Sequence, residues 1–340
     1  MATVDLSIQS DISLGLCVFV ICLTVPMILI TSFGNLVILI TIYRKHRLSN
    51  TASNIFISSL ALFDFLTGFI GLPVAIVGFL IRRQFLYRIN CGIWYFAPCI
   101  VFVQVSVLNL VLITFDRFLA IKFPFRYCTW MSPEVAFRIC VFLNVFGTII
   151  GSLSFIVTGV ASIFVPPPNI TYEYDCGQSP MYEYYGAPTY VYVINPLAGL
   201  TIPTMFIVYV YVFLIASNQA KVAATRTGTK VITREMKVTK TTATILVVYT
   251  LCIAPTALKA FVQSYIDNGY TWLVWYPWFS DYMSVANSMV NPFIYAGRSK
   301  LMRQEFKETM HFITHKVFFK IHGNRTKVKT ISVKPTSIIT

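Results

Sequence analysis

The sequence predicts an all-α membrane protein, a seven-transmembrane helix bundle followed by a short amphipathic eighth helix. The 340 residues are 56% hydrophobic and only 12% charged, whereas soluble domains carry about a quarter charged residues. Seven apolar stretches have roughly the 20 residues that a membrane helix needs, and the strands of a membrane barrel would be shorter and would alternate. The predicted spans one to seven are Ile12–Tyr43, Thr51–Ile81, Cys91–Phe115, Ile139–Phe164, Pro188–Ala220, Thr241–Leu258 and Thr271–Gly297.

Charged residues are nearly absent from these spans. Span two contains only Asp64, span seven contains only Asp281, and the other five contain none. All but four of the 27 Lys and Arg residues lie on one side of the predicted topology. By the positive-inside rule the N-terminus is outside and the C-terminus is cytoplasmic. The net charge of +14 therefore reflects topology and attraction to anionic lipids, not nucleic-acid binding. The four exceptions are Arg82, Arg83, Arg88 and Lys259.

The segments follow from this topology. The first apolar stretch lacks a basic n-region and is too long for a signal-peptide h-region, so it is predicted to be retained as a span. After span seven, Leu301, Met302, Glu305 and Phe306 follow helical spacing among basic residues, which is typical of a helix on the membrane surface. The predicted segments are an extracellular tail (1–11), the seven-transmembrane domain (12–297), the amphipathic helix (298–312) and a basic cytoplasmic tail (313–340).

The second outer loop carries two predicted modifications. Asn169-Ile170-Thr171 is a glycosylation sequon on the extracellular side. Cys176 lies in the same loop and Cys91 at the outer start of span three, so both face an oxidising compartment. We expect a disulfide bond between them, and the alternative is two free thiols.

Short motifs occur in order in almost every span. Each one alone is weak, but the order along nearly the whole chain is specific. They are Gly34-Asn35, Leu60-Ala61 with Asp64, Asp116-Arg117-Phe118, Pro203 with Tyr211, Pro255 and Asn291–Tyr295. On these motifs the chain resembles the rhodopsin-like (class A) G-protein-coupled receptors. The resemblance implies a plasma-membrane receptor, not an enzyme, that binds an extracellular ligand and activates a heterotrimeric G protein.

Asp64 is a carboxylate in the middle of a span, and such a residue is a functional-site hypothesis by default. The alternative is a protonated Asp that is hydrogen-bonded to a neighbour. The resemblance implies that an allosteric sodium ion binds here, because a hard cation prefers oxygen ligands. No other cofactor is expected. The implied partners of the sodium ion are Ser106, Asn287, Ser288 and Asn291.

The resemblance also implies an activation switch at the inner face. Asp116 would orient Arg117, and Arg117 would pair with Glu235 at the start of span six. Breaking that pair would free span six to swing outward; the alternative is that both side chains only face cytosolic water. The switch also includes prolines, which kink membrane helices, and two tyrosines that approach each other in the family's active state. These further switch residues are Pro255, Pro292, Tyr211 and Tyr295.

Three departures from the family pattern concern the outer half. Ile253 replaces the Trp of span six, and the Trp usual in span four is absent around Asn144–Phe146. Cys91 lies one residue farther from Arg117 than usual, which predicts a bulge near Pro98.

The departures also limit the ligand. The carboxylate of amine receptors falls at Pro98 or Cys99, the adenine-contacting Asn of adenosine receptors falls at Ala260, and span seven has no Lys for retinal. Asp281 is expected at the pocket mouth, paired with a cationic ligand group or with Lys259, Arg82 or Arg83. The ligand is a small molecule or a short peptide. Its predicted contacts are Cys99, Gln104, Tyr192, Asn195, Thr256, Gln263, Asp281 and Ser284.

Two alternative functions stay open. A transporter or channel would use Asp64 and Asp281 as charges along its path, and a constitutively active or decoy receptor is suggested by Ile253. The resemblance implies that arrestin and a receptor kinase bind the Ser- and Thr-containing tail. Membrane lipids are further expected partners, and nucleic acid is not expected.

Overall fold

The computed structural model describes residues 14–45, 50–81, 91–164, 195–227, 234–259, 262, 276–298 and 302–315, and all structural statements refer to these. Within them the chain is helical and contains no strand. Seven helical segments correspond to the seven predicted spans. They are Leu14–Arg44, Ala52–Leu66 continued through Thr67–Gly71 and Leu72–Ile81, Cys91–Lys122, Pro133–Phe164, Asn195–Thr227, Arg234–Ala257 and Tyr276–Arg298.

The outer surface of the bundle is apolar. Large side chains such as Phe19, Phe142 and Phe293 are more than half exposed, as expected where helices face lipid instead of water. Four helices of the described residues are long and apolar enough to cross a membrane by themselves. These are Cys17–Arg44, Ala52–Gly78, Ala97–Lys122 and Pro133–Val157, and shorter apolar segments occur at Gly199–Ile215 and Val247–Ala257.

Small residues let the helices approach each other closely, as is common in membrane bundles. A Cβ atom added at Gly34 of span one would lie 2.8 Å from Cγ of Pro292 in span seven. One added at Gly71 would lie 2.9 Å from Cα of Cys99 in span three. These contacts place the Asn291–Tyr295 segment against span one and pack span two closely against span three.

The prediction of a bulge near Pro98 was wrong. Span three is α-helical from Cys91 to Lys122 with Pro98 inside it. The irregular segment is instead the π-helical turn Thr67–Gly71 of span two. This turn ends at Gly71, where the close approach of Cys99 in span three leaves no room for a Cβ atom.

A polar bridge occupies the place of the missing Trp in span four. Asn144 accepts a hydrogen bond of 2.8 Å from Asn109 of span three and donates one of 2.8 Å to Ser59 of span two. Hydrogen bonds between helices within a membrane stabilise their association. The bridge therefore ties three helices together without an aromatic ring.

Residues 302–315 are helical and contact the inner end of span one. Lys45 forms ion pairs of 2.6 Å with Glu305 and 3.3 Å with Glu308. The guanidinium of Arg44 lies 3.8 Å from the centre of the Phe312 ring. The predicted location of this helix on the membrane surface stays a prediction, as do the other domain boundaries.

Candidate functional site

Asp64 lies in the middle of span two and is completely buried. Ser106 of span three donates a hydrogen bond of 2.5 Å to its Oδ1 atom, and Asn291 of span seven donates one of 2.7 Å to its Oδ2 atom. A polar group buried without partners would cost several kcal/mol. The two donors therefore hold the Asp64 carboxyl in place and join spans two, three and seven through it.

The other two predicted sodium partners lie about one turn before Asn291 on the same face of span seven. Asn287 and Ser288 are buried, and the Asn287 Nδ2 and Ser288 Oγ atoms have no hydrogen-bond partner in the described part of the chain. Asn35 of span one donates a hydrogen bond of 3.2 Å to the Ser288 carbonyl. The Ser288 hydroxyl lies close to the Asp64 carboxyl. This oxygen-rich set fits a small hard cation, and the sodium ion stays a prediction.

Asp116 organises the inner end of span three. It is 2% exposed, forms an ion pair with the guanidinium of Arg117, and accepts hydrogen bonds of 3.0 Å from Ser53 and 2.5 Å from Tyr127. Tyr127 belongs to the loop helix Pro124–Trp130. Burial, followed by the charge of Asp116, raises the pKa of Tyr127 to about 12, so its hydroxyl is protonated at neutral pH and donates.

The remaining switch residues are only partly described. Glu235 lies in the first turn of span six, but its side chain is outside the described set, so the Arg117–Glu235 pair stays a prediction. The Tyr211 ring packs 5.6 Å from that of Phe118, whereas Tyr295 is 2% exposed within the core. Their approach in an active state stays a prediction. Pro255 and Pro292 lie inside their helices, as expected.

A cavity of about 210 Å³ occupies the outer half of the bundle, between spans one, two, three, six and seven. Ile253, at the position of the usual Trp, is 4% exposed and lines it. The Asp281 oxygens lie 2.9 and 3.0 Å from Nζ of Lys259, which is one of the pairings that the sequence left open. The predicted ligand contacts that line this cavity are Cys99, Gln104, Thr256, Asp281 and Ser284.

Sequence reasoning missed the contribution of spans one and two to the cavity wall. Val20, Thr24 and Leu72 line it, as does Tyr282 of span seven. The hydroxyl groups of Thr24 and Tyr282 lie 2.8 Å apart and share a hydrogen bond. Thr24 is one of several polar residues in span one, and its position in the sequence does not say which helix it faces.

Several predicted residues lie outside the described set. The structure places Cys91 and Asn195 at the first positions of their helices without describing their side chains. The predictions for them, for the disulfide bond and for the glycan remain predictions. The other residues concerned are Tyr192, Gln263, Cys176 and Asn169.

The family model described as 7 transmembrane receptor (rhodopsin family) matches residues 34–295, from the Gly34-Asn35 motif to Tyr295. The chain belongs to this family. It is a class A G-protein-coupled receptor, a multi-pass protein of the plasma membrane and not an enzyme. Members of the family bind extracellular ligands and heterotrimeric G proteins, so the transporter and channel alternatives are set aside.

Curated relatives of the receptor fall into more than one subfamily. The adenosine receptor A2a of Homo sapiens is 26% identical over 309 residues, which cover 87% of this chain and 73% of that protein. The adenosine receptor A2b of Gallus gallus is 24% identical over 84% of this chain and 85% of its own length. The histamine H2 receptor of Rattus norvegicus is 27% identical over 89% of this chain and 83% of its own length. These similarities assign the receptor to no specific subfamily.

Proposed function

We propose that the receptor binds a small molecule or short peptide in its outer cavity and activates a heterotrimeric G protein by outward movement of span six, with its N-terminus outside the cell. One observation carries this proposal. Ile253 and Thr256 of span six line the cavity, so a ligand there touches the helix that has to move. Pro255 lies between them inside the helix, and a proline gives a helix a point at which it can bend.

The inner face supplies the other half of the proposal. Arg117 forms an ion pair with Asp116, and we propose that Arg117 also pairs with Glu235. Loss of the Arg117–Glu235 pair would release the inner end of span six. On the loop helix beside this site, Phe125 is 93% exposed. An exposed aromatic side chain on the cytoplasmic face is a suitable anchor for a G protein, since aromatic residues often dominate binding energy at interfaces.

The Asp64 cluster gives a means of stabilising the inactive state. Asp64, Ser106 and Asn291 already connect three helices, and Ser288 adds a buried hydroxyl to the same region. A sodium ion held by these oxygens would strengthen the connection between the helices. Its release would favour the rearrangement of span seven. Arrestin, a receptor kinase and membrane lipids are the further partners that we propose for the tail.

The ligands named for the relatives do not transfer directly. The adenosine receptors and the histamine H2 receptor indicate a small-molecule ligand. However, Ala260 stands where adenosine receptors contact adenine, and Cys99 or Pro98 where amine receptors carry a carboxylate. We therefore propose a small-molecule receptor whose ligand differs from both.

The test is guanine-nucleotide exchange on a panel of heterotrimeric G proteins, with the full chain in lipid nanodiscs and a library of small molecules and short peptides. We expect at least one compound to accelerate exchange, and Arg117→Ala to abolish the acceleration. Glu235→Ala should raise basal exchange, and the matched control Glu305→Ala, which removes a carboxylate outside the switch, should not. Absence of exchange with every compound and every G protein would contradict the proposal.

A second candidate is a constitutively active or decoy receptor, which the buried Ile253 favours because it lines the cavity at the position where span six of the family carries a Trp. High basal exchange that no library compound changes would indicate constitutive activity. Compound binding without any exchange would indicate a decoy.

A further inference from the structure

The charge at the mouth of the outer cavity is already neutralised within the protein. Asp281 is the one charged side chain among the described residues that line the cavity. Both of its oxygens are within hydrogen-bonding distance of Lys259 Nζ. A ligand ammonium group would have to displace Lys259, and a ligand carboxylate would meet Asp281. Among the described residues, the cavity wall therefore offers no unpaired charge to either kind of ion.

The hydroxyl groups around the cavity are also occupied. Thr24 donates to the Val20 carbonyl at 2.7 Å and shares a hydrogen bond with Tyr282. Thr256 donates to the Ser280 carbonyl at 3.1 Å. Ser284 donates to the Asp281 carbonyl at 2.8 Å. Because these groups are bonded to the protein, they present few free donors to a ligand.

Gln104 is different. It lines the cavity from span three, it is half-buried, and its amide has no hydrogen-bond partner among the described residues. An amide offers two N–H donors and one carbonyl acceptor. The Gln104 amide is not among the fully buried groups without a partner, so solvent can reach it through the cavity. A ligand that fills the cavity and leaves this amide unpaired loses free energy, whereas a ligand that pairs with it avoids that cost.

The rest of the described wall is mostly apolar, and the space is small. The cavity volume of about 210 Å³ lies below the range of about 300–1,000 Å³ that is typical of drug-sized ligand sites. Burying apolar ligand surface against such a wall is favourable by about 25 cal/mol per Å². The apolar lining residues include Val20, Leu72, Ile76, Val103, Ile253 and Val285.

From these four features we infer that the ligand is a small, uncharged and mostly apolar molecule that carries one hydrogen-bonding group for the amide of Gln104. This inference rests on the proposed function, because it describes the ligand of the same cavity. The Lys259–Asp281 pair acts as the specificity element, since it excludes amines and carboxylates that would otherwise fit by size.

The test uses charge-matched fragments with phenyl, indolyl and cyclohexyl cores, each as a primary amide, an ammonium and a carboxylate. Binding is measured as the shift in Tm of the detergent-solubilised full chain, without a G protein. We expect the amide of at least one core to raise the Tm more than its two charged counterparts. Gln104→Met, which is similar in size, should remove that gain. The Tm of each variant without fragment shows whether it is folded.

The ion pair is tested by two variants of one residue. Lys259→Gln leaves the Asp281 carboxylate unpaired, so the ammonium fragments should bind about tenfold more tightly, equivalent to about 1.4 kcal/mol. Lys259→Arg keeps the charge and should leave the preference for amides unchanged. Preference of the unaltered protein for ammonium or carboxylate fragments, or no stabilisation by any amide, would overturn the inference.

The two proposals can fail separately. If amides stabilise the protein but no compound promotes nucleotide exchange, the proposed function fails and the ligand class stands. If a charged compound promotes exchange through this cavity, the ligand class fails and the proposed function stands.

Discussion

Asn291 of span seven donates a hydrogen bond of 2.7 Å to the Oδ2 atom of Asp64 in span two, although the two residues are 227 positions apart in the chain. Asn291 precedes Pro292, whose ring touches Gly34 of span one. The polar group and the kink therefore act on the same part of span seven. A movement of this segment has to change both contacts.

Asp64→Asn should remove the response of the receptor to sodium. In the unaltered protein, sodium chloride should raise the Tm above its value in choline chloride at the same ionic strength, because a ligand that binds the folded state stabilises it. Asp64→Asn removes the carboxylate charge, and the difference between the salts should disappear. Asp281→Asn is the control and should keep the difference. A sodium effect that survives Asp64→Asn would rule out this site.

Tyr127→Phe should loosen the inner end of span three. The change deletes the hydroxyl that donates to Asp116 at 2.5 Å, and a hydrogen bond to a charged group is worth about 1.5–3 kcal/mol. We expect a lower Tm and a several-fold rise in basal nucleotide exchange, since Asp116 would orient Arg117 less firmly. Tyr43→Phe, at a residue that is 88% exposed, should change neither. Unchanged basal exchange and Tm in Tyr127→Phe would show that the hydroxyl is dispensable.

Gly34→Ala should destabilise the bundle even though Ala is the better helix former by about 1 kcal/mol. The added methyl group would lie 2.8 Å from Cγ of Pro292, and a proline ring cannot rotate away. Overpacking of this kind costs about 1–3 kcal/mol, so the Tm should fall. At Gly297 an added Cβ meets nothing within 4 Å, and Gly297→Ala should leave the Tm unchanged or raise it. Equal effects at both positions would contradict close packing of spans one and seven.

Asn144→Leu should weaken the bridge between spans two, three and four. Leu fills a similar volume but neither donates to Ser59 nor accepts from Asn109. Hydrogen bonds between membrane helices are worth about 0.6–2 kcal/mol each, so the Tm should fall. The effect should be smaller when Ser59→Ala is already present, because the pair is coupled. Thr204→Val, which removes an exposed hydroxyl that donates to a carbonyl of its own helix, is the control. Strict additivity of Asn144→Leu with Ser59→Ala would contradict the bridge.

Asn169→Gln should remove the glycan of the receptor and test its orientation. Asn169-Ile170-Thr171 is predicted to be extracellular, whereas Asn324-Arg325-Thr326 is predicted to be cytoplasmic, and only the former can be glycosylated. Glycosidase treatment of the unaltered receptor should increase its gel mobility. Asn169→Gln should abolish this shift, and Asn324→Gln should preserve it. The opposite result would invert the proposed topology.

Local composition was enough to predict the helices. The scarcity of charge made Asp64 and Asp281 visible, because each is the sole charged residue of its predicted span. The resemblance implied Ser106 and Asn291 as partners of a sodium ion at Asp64. The structure shows both donating hydrogen bonds directly to the Asp64 carboxyl, and the ion stays a prediction. In contrast, the Asp116–Tyr127 and Asn144–Ser59 contacts were not anticipated, because each joins residues whose separation in space depends on how two helices pack.

By itself the sequence determined the class of protein, the positions of the spans and the distribution of basic residues between the two sides. These follow from the cost of placing charges and unpaired backbone groups in lipid. The composition of each segment of about 20 residues shows, without the rest of the chain, whether it can span the membrane. Only the tertiary structure decided that Lys259 neutralises Asp281 and that Val20 and Thr24 line the cavity. In a membrane the lipid-facing and protein-facing sides of a helix are both apolar, so hydrophobic periodicity does not orient a span. The approach of neighbouring helices does.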